Sequence, residues 1–308
     1  MIDILMALYN GERYLAEQLD SILNQSITEW RLVLVDDCSK DRTPEIAREY
    51  AERYPGKITF YRRENNLGSA QKSFFDMLQY SSAEYVMTSD QDDYWLADKL
   101  KVTLEKMKEI EAEHGSDVPL LVHTDLRVVD AELHTIHESM FRAQNLDSRR
   151  DALPQLLAQN IVSGCTEMFN RALVDTITKI PQHAVMHDWW YALVAGAFGA
   201  VGFVNQPTIL YRQHGGNEVG AKDVRSVQYN VERANDPVGA RRSLILTYRQ
   251  AAEFLELYGE RLGPREKELV NAYAGLRSAG KWKKICTLFR YGFWKKGLFR
   301  KLGQIVFC

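Results

Sequence analysis

The chain has 308 residues, 45% hydrophobic and 26% charged. This balance excludes disorder, collagen and a disulfide scaffold, and it allows one large domain or an ordinary domain with an extension. Thirty-nine Lys and Arg oppose 41 Asp and Glu, so the net charge of -2 predicts no general affinity for nucleic acid. The average hides an asymmetry: residues 277–308 hold nine basic side chains and no acid, leaving 30 basic and 41 acidic side chains in residues 1–276.

In chain order, Ile2–Leu8 is an apolar run, apart from Asp3, that fits a buried parallel strand. Tyr9-Asn10-Gly11 is a turn, and Glu12–Gln25 repeats Leu15, Leu19, Ile22 and Leu23 at helical spacing. Arg31–Val35 is a strand ending in Asp36-Asp37, and Thr43-Pro44 opens a helix to Tyr54. Strand Ile58–Tyr61, loop Asn65–Gly68, helix Lys72–Tyr80 and strand Glu84–Thr88 follow, the last ending in Asp90-Gln91-Asp92-Asp93. Helix Ala97–Glu113 and strand Leu120–Thr124 complete an α/β doubly wound pattern with a mainly parallel sheet. Trp189–Val204 is uncharged for 16 residues but broken by three glycines. A membrane span needs about 20 residues, so a buried helix followed by a buried strand is the better reading. Beyond residue 220 the chain reads as helices, Arg241–Tyr258 and Pro264–Leu276, and then the basic, aromatic tail.

Parallel sheets bind ligands beyond the carboxyl ends of their strands, where Tyr9, Asp37, Asn66, Asp90 and Asp92 fall. Three carboxylates within Asp90–Asp93 repel unless a cation or donors neutralise them, and Mg2+ is commonly held by one or two carboxylates plus phosphates. A solvated acidic turn is the plain alternative. Asp37 can accept from a nucleobase N–H or a ribose hydroxyl, or close an Asx turn. Asp188, between His187 and two tryptophans, can serve as a general base or merely cap a helix. Arg212 can pair with phosphate oxygens, and His214 can ligate a metal or touch a phosphate. Ser163-Gly164-Cys165 is a small-residue turn suited to lining a substrate cleft. There is no GxGxxG after the first strand, no GxxxxGK[ST] and no GxSxG, and the histidines lack zinc spacing. Cys38, Cys165, Cys286 and Cys308 are too dispersed for CxxC chemistry and suit a reducing compartment. The opening MIDILMALYNGERYL lacks a basic n-region and a long apolar h-region, so a cytoplasmic location is expected.

The segments ILMALYNGERYLAEQLDSILNQS, LVDDCSKDRT, ENNLG, SDQDDYW, SGCTEMFNRAL, MHDWW and LYRQHGGN, in this order and spacing, resemble family 2 glycosyltransferases of the GT-A fold. SDQDDYWLADKL, HTDLRVVD, MHDWWYALVA and YRQHGGN look closest to bacterial rhamnosyltransferases of cell-wall or O-antigen polysaccharides. The resemblance implies a GT-A domain over 1–218 and a C-terminal helical region over 219–308. It implies a nucleobase site lined by Ala7 and Tyr9, with Asp37 on the base N–H and Asn66 and Gly68 bordering the nucleotide. Asp90-Gln91-Asp92 matches the DxD motif, with Asp92 as the ligand of a divalent cation (Mn2+ or Mg2+) and Asp90 near the ribose or the metal shell. His214 completes the metal or diphosphate site. Asp188 matches the catalytic base, and Ser163, Gly164 and Trp189 fall on the acceptor side. Departures are His187 where the family often has Glu, and Cys38 where it often has Gly.

The implied reaction is inverting transfer from a nucleotide-diphosphate sugar, dTDP-β-L-rhamnose in this reading, to a lipid-linked glycan. Alternatives are a UDP-linked hexose or GlcNAc donor, a sugar nucleotidyltransferase, and a non-catalytic membrane adaptor. A nucleotidyltransferase should carry a Gly-rich basic loop after the first strand, and an adaptor should lack Asp92, Asp188 or His214. The tail 277–308 interleaves Lys and Arg with aromatic residues, as in an amphipathic helix at an anionic membrane surface. A peripheral position on the inner face of the cell membrane follows, and a homo-oligomer is compatible with this reading.

Overall fold

The computed structural model describes residues 1–214 and 236–308. The boundary read at 218/219 and the glycines at 215 and 216 lie outside the described residues. In chain order come β1 (Ile2–Leu8), α1 (Leu15–Leu23), β2 (Trp30–Asp36), α2 (Thr43–Arg53), β3 (Ile58–Arg62), α3 (Ala70–Met77), β4 (Tyr85–Ser89), β5 (Tyr94–Trp95), α4 (Lys99–His114), β6 (Leu120–Val129) and β7 (Thr135–His137). Then follow α5 (Met140–Ala143), α6 (Leu153–Ala158), β8 (Met168–Asn170), α7 (Arg171–Thr176), α8 (His187–Phe198), β9 (Ala200–Arg212), α9 (Pro237–Tyr258), α10 (Pro264–Ala274), α11 (Lys281–Tyr291) and α12 (Leu298–Phe307). Two compact units emerge: 1–140, 162–180 and 201–214 form the first, and 141–161, 181–200 and 236–308 the second.

The first unit is built on a mixed sheet of order β3-β2-β1-β4-β8-β6-β9-β5, with β7 on β6. β1 pairs in parallel with β2 and β4, and β2 with β3, whereas β8 pairs antiparallel with β4 and β6, and β5 with β9. Leu8 lies opposite Asp36 and Met6 opposite Ser89, so β1, β2 and β4 end at one edge carrying Tyr9, Asp37 and Asp90. The apolar side chains of β1 other than Ala7 are buried on both faces, as a central parallel strand requires. Its one acid, Asp3, is satisfied by Arg31 Nε at 2.9 Å and Ser81 Oγ at 2.8 Å. α1 starts at Leu15 rather than Glu12, because the Gly11 carbonyl first accepts from the Tyr14 and Leu15 N–H groups in a turn. β9 runs 13 residues, Ala200–Arg212, well past Val204, where the expected helix-and-strand run ends. Gly202 lets it lie close to α4 and β6, since a Cβ there would sit 3.3 Å from both Ile110 and Val122.

In the second unit, α8 buries Trp190 and every residue from Tyr191 to Ala195, so the uncharged run is a buried helix and then a strand, as expected. That strand, β9, is nevertheless only half-buried over much of its length. A Cβ at Gly196 would meet Leu156 Cδ1 at 2.6 Å, which fixes how closely α8 approaches α6. Trp190 packs edge-on against Phe254 of α9 at 5.3 Å. α9 and α10 share a hydrogen bond between Thr247 Oγ1 and Tyr273 Oη at 3.0 Å. Among the described residues, no helix is long and apolar enough to cross a membrane.

His123 of β6 is fully buried against Phe203, and burial lowers its pKa from 6.5 to about 3. The folded protein therefore holds it neutral while the unfolded chain binds a proton near 6.5. Its contribution to stability is complete above that pH and is lost as pH falls from 6.5 toward 3, at about 1.4 kcal/mol per pH unit. Urea unfolding of wild type and His123→Leu at several pH values should show the wild type losing stability more steeply on acidification. Equal slopes would contradict a neutral buried imidazole.

Candidate active site

At the end of β1, Tyr9 is exposed and its backbone is clamped by Gln91: the Tyr9 N–H donates to Gln91 Oε1 at 2.9 Å and Gln91 Nε2 donates to the Tyr9 carbonyl at 2.8 Å. Gly11 makes room for this, since a Cβ there would lie 2.3 Å from Gln91 Oε1. Ala7 is half-buried beside Val35. Asp37 is buried, and both its oxygens accept from the Leu67 N–H, at 3.0 and 3.1 Å. Asn66 Nδ2 donates to the Asp37 carbonyl at 2.7 Å, and the Gly68 N–H donates to Asn66 Oδ1 at 2.6 Å, with Gly68 at φ +76°. The expected nucleotide residues Asp37, Asn66 and Gly68 thus form one loop-locked group. Arg63, which the sequence reading missed, ties that group to α3 through Asp37 (3.4 Å), Ser73 Oγ (2.7 Å) and Asp76 (2.5 Å).

The acidic turn after β4 is organised from β9. The Arg212 N–H donates to Asp93 Oδ1 at 3.3 Å and its Nε to the Asp92 carbonyl at 3.0 Å. Its other nitrogens reach Ala131 O and Glu17, and the guanidinium lies 4.5 Å from the centre of the Tyr14 ring. Arg212 is buried, and these bonds hold the turn. His214 Nε2 lies 2.7 Å from Asp92 Oδ2, and both side chains are partly exposed. An oxygen and an imidazole nitrogen this close suit a hard or borderline divalent cation.

A second group, Asp90, Asp93 and Cys165, has its ligand atoms within 4.8 Å of one another. Burial, then Asp90 and Asp92, push the Asp93 carboxyl well above the usual carboxylate range, and burial pushes the Cys165 thiol up. Asp92 and His214 are partly exposed whereas Asp93 and Cys165 are buried, so the first pair is the one open to a cation from solvent. Lys99 is buried with its Nζ 4.6 Å from the Trp95 ring centre, and burial lowers its pKa to about 8 against the pull of Cys165, Asp93 and Glu167. Lys99 was also missed from sequence, where it reads as an ordinary helix-surface lysine.

Ser163 and Gly164 start a 3-10 turn held against β4, with Thr88 Oγ1 donating to the Gly164 carbonyl at 2.6 Å. They therefore belong with the acidic turn in the first unit. Asp188 and Trp189 belong to the second. Asp188 is not the helix cap: the cap position is Met186, and Asp188 sits buried in the first turn of α8, accepting from the Trp189 N–H at 2.5 Å. Beside it, burial lowers the His187 pKa to about 3. Trp189 Nε1 donates to the Leu156 carbonyl at 2.6 Å, fixing the indole.

The family model described as Glycosyl transferase family 2 matches residues 3–176. The dTDP-rhamnosyl transferase RfbG of Shigella flexneri is 29% identical over 230 residues, covering 70% of this chain and 74% of that protein. The structure of Staphylococcus aureus TarS 1-349 in complex with UDP superposes with a TM-score of 0.57 at 17% identity, covering 90% of this chain and 70% of that one. The mannosyltransferase PcManGT of Pyrobaculum calidifontis, in complex with GDP-Man and Mn2+, gives 0.56 at 19% identity, covering 94% and 73%. These likenesses show that the fold is GT-A.

Gln91→Glu removes the donor to the Tyr9 carbonyl and places a carboxylate against it. Calorimetry with dTDP and UDP should show nucleotide binding weakened by about 1–2 kcal/mol with little change in Tm. Unchanged affinity would mean that the clamp does not shape the nucleotide site.

Proposed function

The chain belongs to glycosyl transferase family 2, and from that premise we propose that it transfers L-rhamnose from dTDP-β-L-rhamnose to a hydroxyl of a lipid-linked glycan in cell-surface polysaccharide synthesis. The observation that carries this reading is the 2.7 Å approach of His214 to Asp92 at the same sheet edge as Tyr9 and Asp37. The likeness to RfbG favours rhamnose as the sugar. Ala7 and Tyr9 line the base, and Asp37, whose carboxylate retains lone pairs beyond those used by Leu67 and Arg63, accepts the base N–H. Asn66 and Gly68 border the nucleotide, and Asp90 lies near the ribose or the metal shell. A divalent cation (Mn2+ or Mg2+) held by Asp92 and His214 would offset the charge of the departing diphosphate. Arg212 serves the donor by holding the acidic turn rather than by reaching phosphate.

Asp188 takes the proton of the acceptor hydroxyl as that oxygen attacks the anomeric carbon, with Ser163, Gly164 and Trp189 on the acceptor side. One base and no protein nucleophile give inversion, so a β-linked donor yields an α-rhamnoside. The lipid-linked acceptor places the enzyme in the cytoplasm, peripheral on the inner face of the cell membrane.

A screen of nucleotide sugars for cation-dependent nucleoside diphosphate release, with mass spectrometry of the product, tests this reading. dTDP-rhamnose should be the best donor. Preference for a UDP-linked hexose or GlcNAc would overturn the sugar, and no release from any donor would overturn the activity. Asp188→Asn should lower turnover by about 10²–10⁴-fold while dTDP affinity holds; retained turnover removes Asp188 from this role. Asp92→Ala should abolish the difference between donor binding measured with and without Mn2+, and a persisting difference would place the cation elsewhere.

A further inference from the structure

We propose that α11 and α12 form a docking surface for an anionic lipid bilayer. Leu298, Leu302 and Val306 recur at i, i+4 and i+8 along α12, with Phe299 in the adjacent row. Such a stripe ordinarily faces a core, yet these four side chains are 48–72% exposed. What α12 buries is Gln304, whose amide donates to the Phe293 carbonyl at 3.0 Å and accepts from the Lys295 N–H at 2.7 Å. The helix is thus turned polar side in and apolar side out. α11 buries an apolar residue, Leu288, but it too leaves large apolar side chains outside: Trp282 and Phe289, seven residues apart, are 81% and 66% exposed. The start of α11 meets the end of α12, where Lys281 Nζ donates to the Val306 carbonyl at 3.2 Å. Exposed apolar stripes on two adjoining helices mark an interaction surface.

Charge selects the occupant. Residues 277–308 carry nine basic side chains and no acid; Arg290 lies 3.8 Å from Glu268 and Lys296 3.5 Å from Asp147, and the segment remains strongly cationic, so a second copy would set like charge against like, whereas anionic headgroups complement it. α11 and α12, with 11 and 10 residues, are about half the length a membrane span needs. They suit the interfacial position, with apolar side chains at the acyl boundary and lysines among the phosphates. This deepens the peripheral placement proposed above, but it rests on the helices and not on the identity of the donor.

The test is sedimentation of the full-length protein with phosphatidylcholine vesicles, with and without about 30% phosphatidylglycerol. Binding should be at least about tenfold tighter to the anionic vesicles and should fall in about 0.5 M NaCl. The double variant Phe299→Ser/Leu302→Ser, altering exposed side chains only, should lose at least about tenfold in vesicle affinity while Tm and dTDP affinity stay unchanged. Equal binding to neutral and anionic vesicles, or full binding by the variant, overturns the proposal. So does a dimer in analytical ultracentrifugation that the variant abolishes, which would assign the surface to a second copy. Vesicle binding without diphosphate release from any donor leaves the surface standing and fells the catalytic reading; diphosphate release without vesicle binding does the reverse.

Discussion

Keeping like charges together at the end of one strand is the constraint around which the first unit is organised. Asp90, Asp92 and Asp93 would repel in water, and the last two are placed differently. Asp93 goes inside, where burial and its acidic neighbours raise its pKa, Asp92 turns to His214, and Arg212 holds the Asp92 carbonyl and the Asp93 carboxyl. The grip comes from β9. That strand pairs with β5 through Tyr94 opposite Leu210 and Trp95 opposite Ile209, which brings Arg212 and His214 opposite the acids two residues earlier on the β5 side. The antiparallel half of the sheet thus delivers the basic groups that let the parallel half end in acids.

The base end follows the same logic at shorter range. Asp37 is buried, which costs free energy unless its oxygens are satisfied. The Leu67 N–H and Arg63 meet that need while leaving acceptor capacity. Gln91, the middle residue of the acidic motif, reaches back to Tyr9 with both its donor and its acceptor. The end of β1 and the acidic turn are consequently not independent: one amide spans them, and Gly11 is the small residue that lets it pass.

Much of this was legible in sequence wherever the signal was local. Apolar runs closed by polar turns gave the strands of the parallel half, and the loop around Asn66 and Gly68 fell beside Asp37. What escaped notice depends on distant partners. Gln91 and Tyr9 are 82 residues apart, and nothing near Arg63 or Lys99 distinguishes them from surface cations. Arg212 read as a phosphate ligand because a loop arginine usually reaches solvent, yet it is buried under Glu17 and Tyr14. β9 runs on through Asn205-Gln206-Pro207, an exposed to half-buried stretch where a missing N–H is tolerated. Cys38 sits at φ +66°, a conformation that favours glycine and accounts for the glycine that the resemblance led one to expect there. The two units interleave along the chain, and composition carries no mark of that.

The tail shows how burial resolves what composition leaves open. A run of alternating basic and aromatic residues fits a packed helix with a solvated basic face as well as it fits an interfacial one. The inward Gln304 and the outward Leu298, Leu302 and Val306 favour the second. The charge asymmetry then acquires a mechanical meaning. Residues 1–276 hold 30 basic and 41 acidic side chains and residues 277–308 nine basic and none acidic, and the tail's Arg290 and Lys296 pair with Glu268 and Asp147 outside it. On the proposed docking surface, charge would act within a Debye length of about 8–10 Å, and the exposed apolar stripes of α11 and α12 would make the contact.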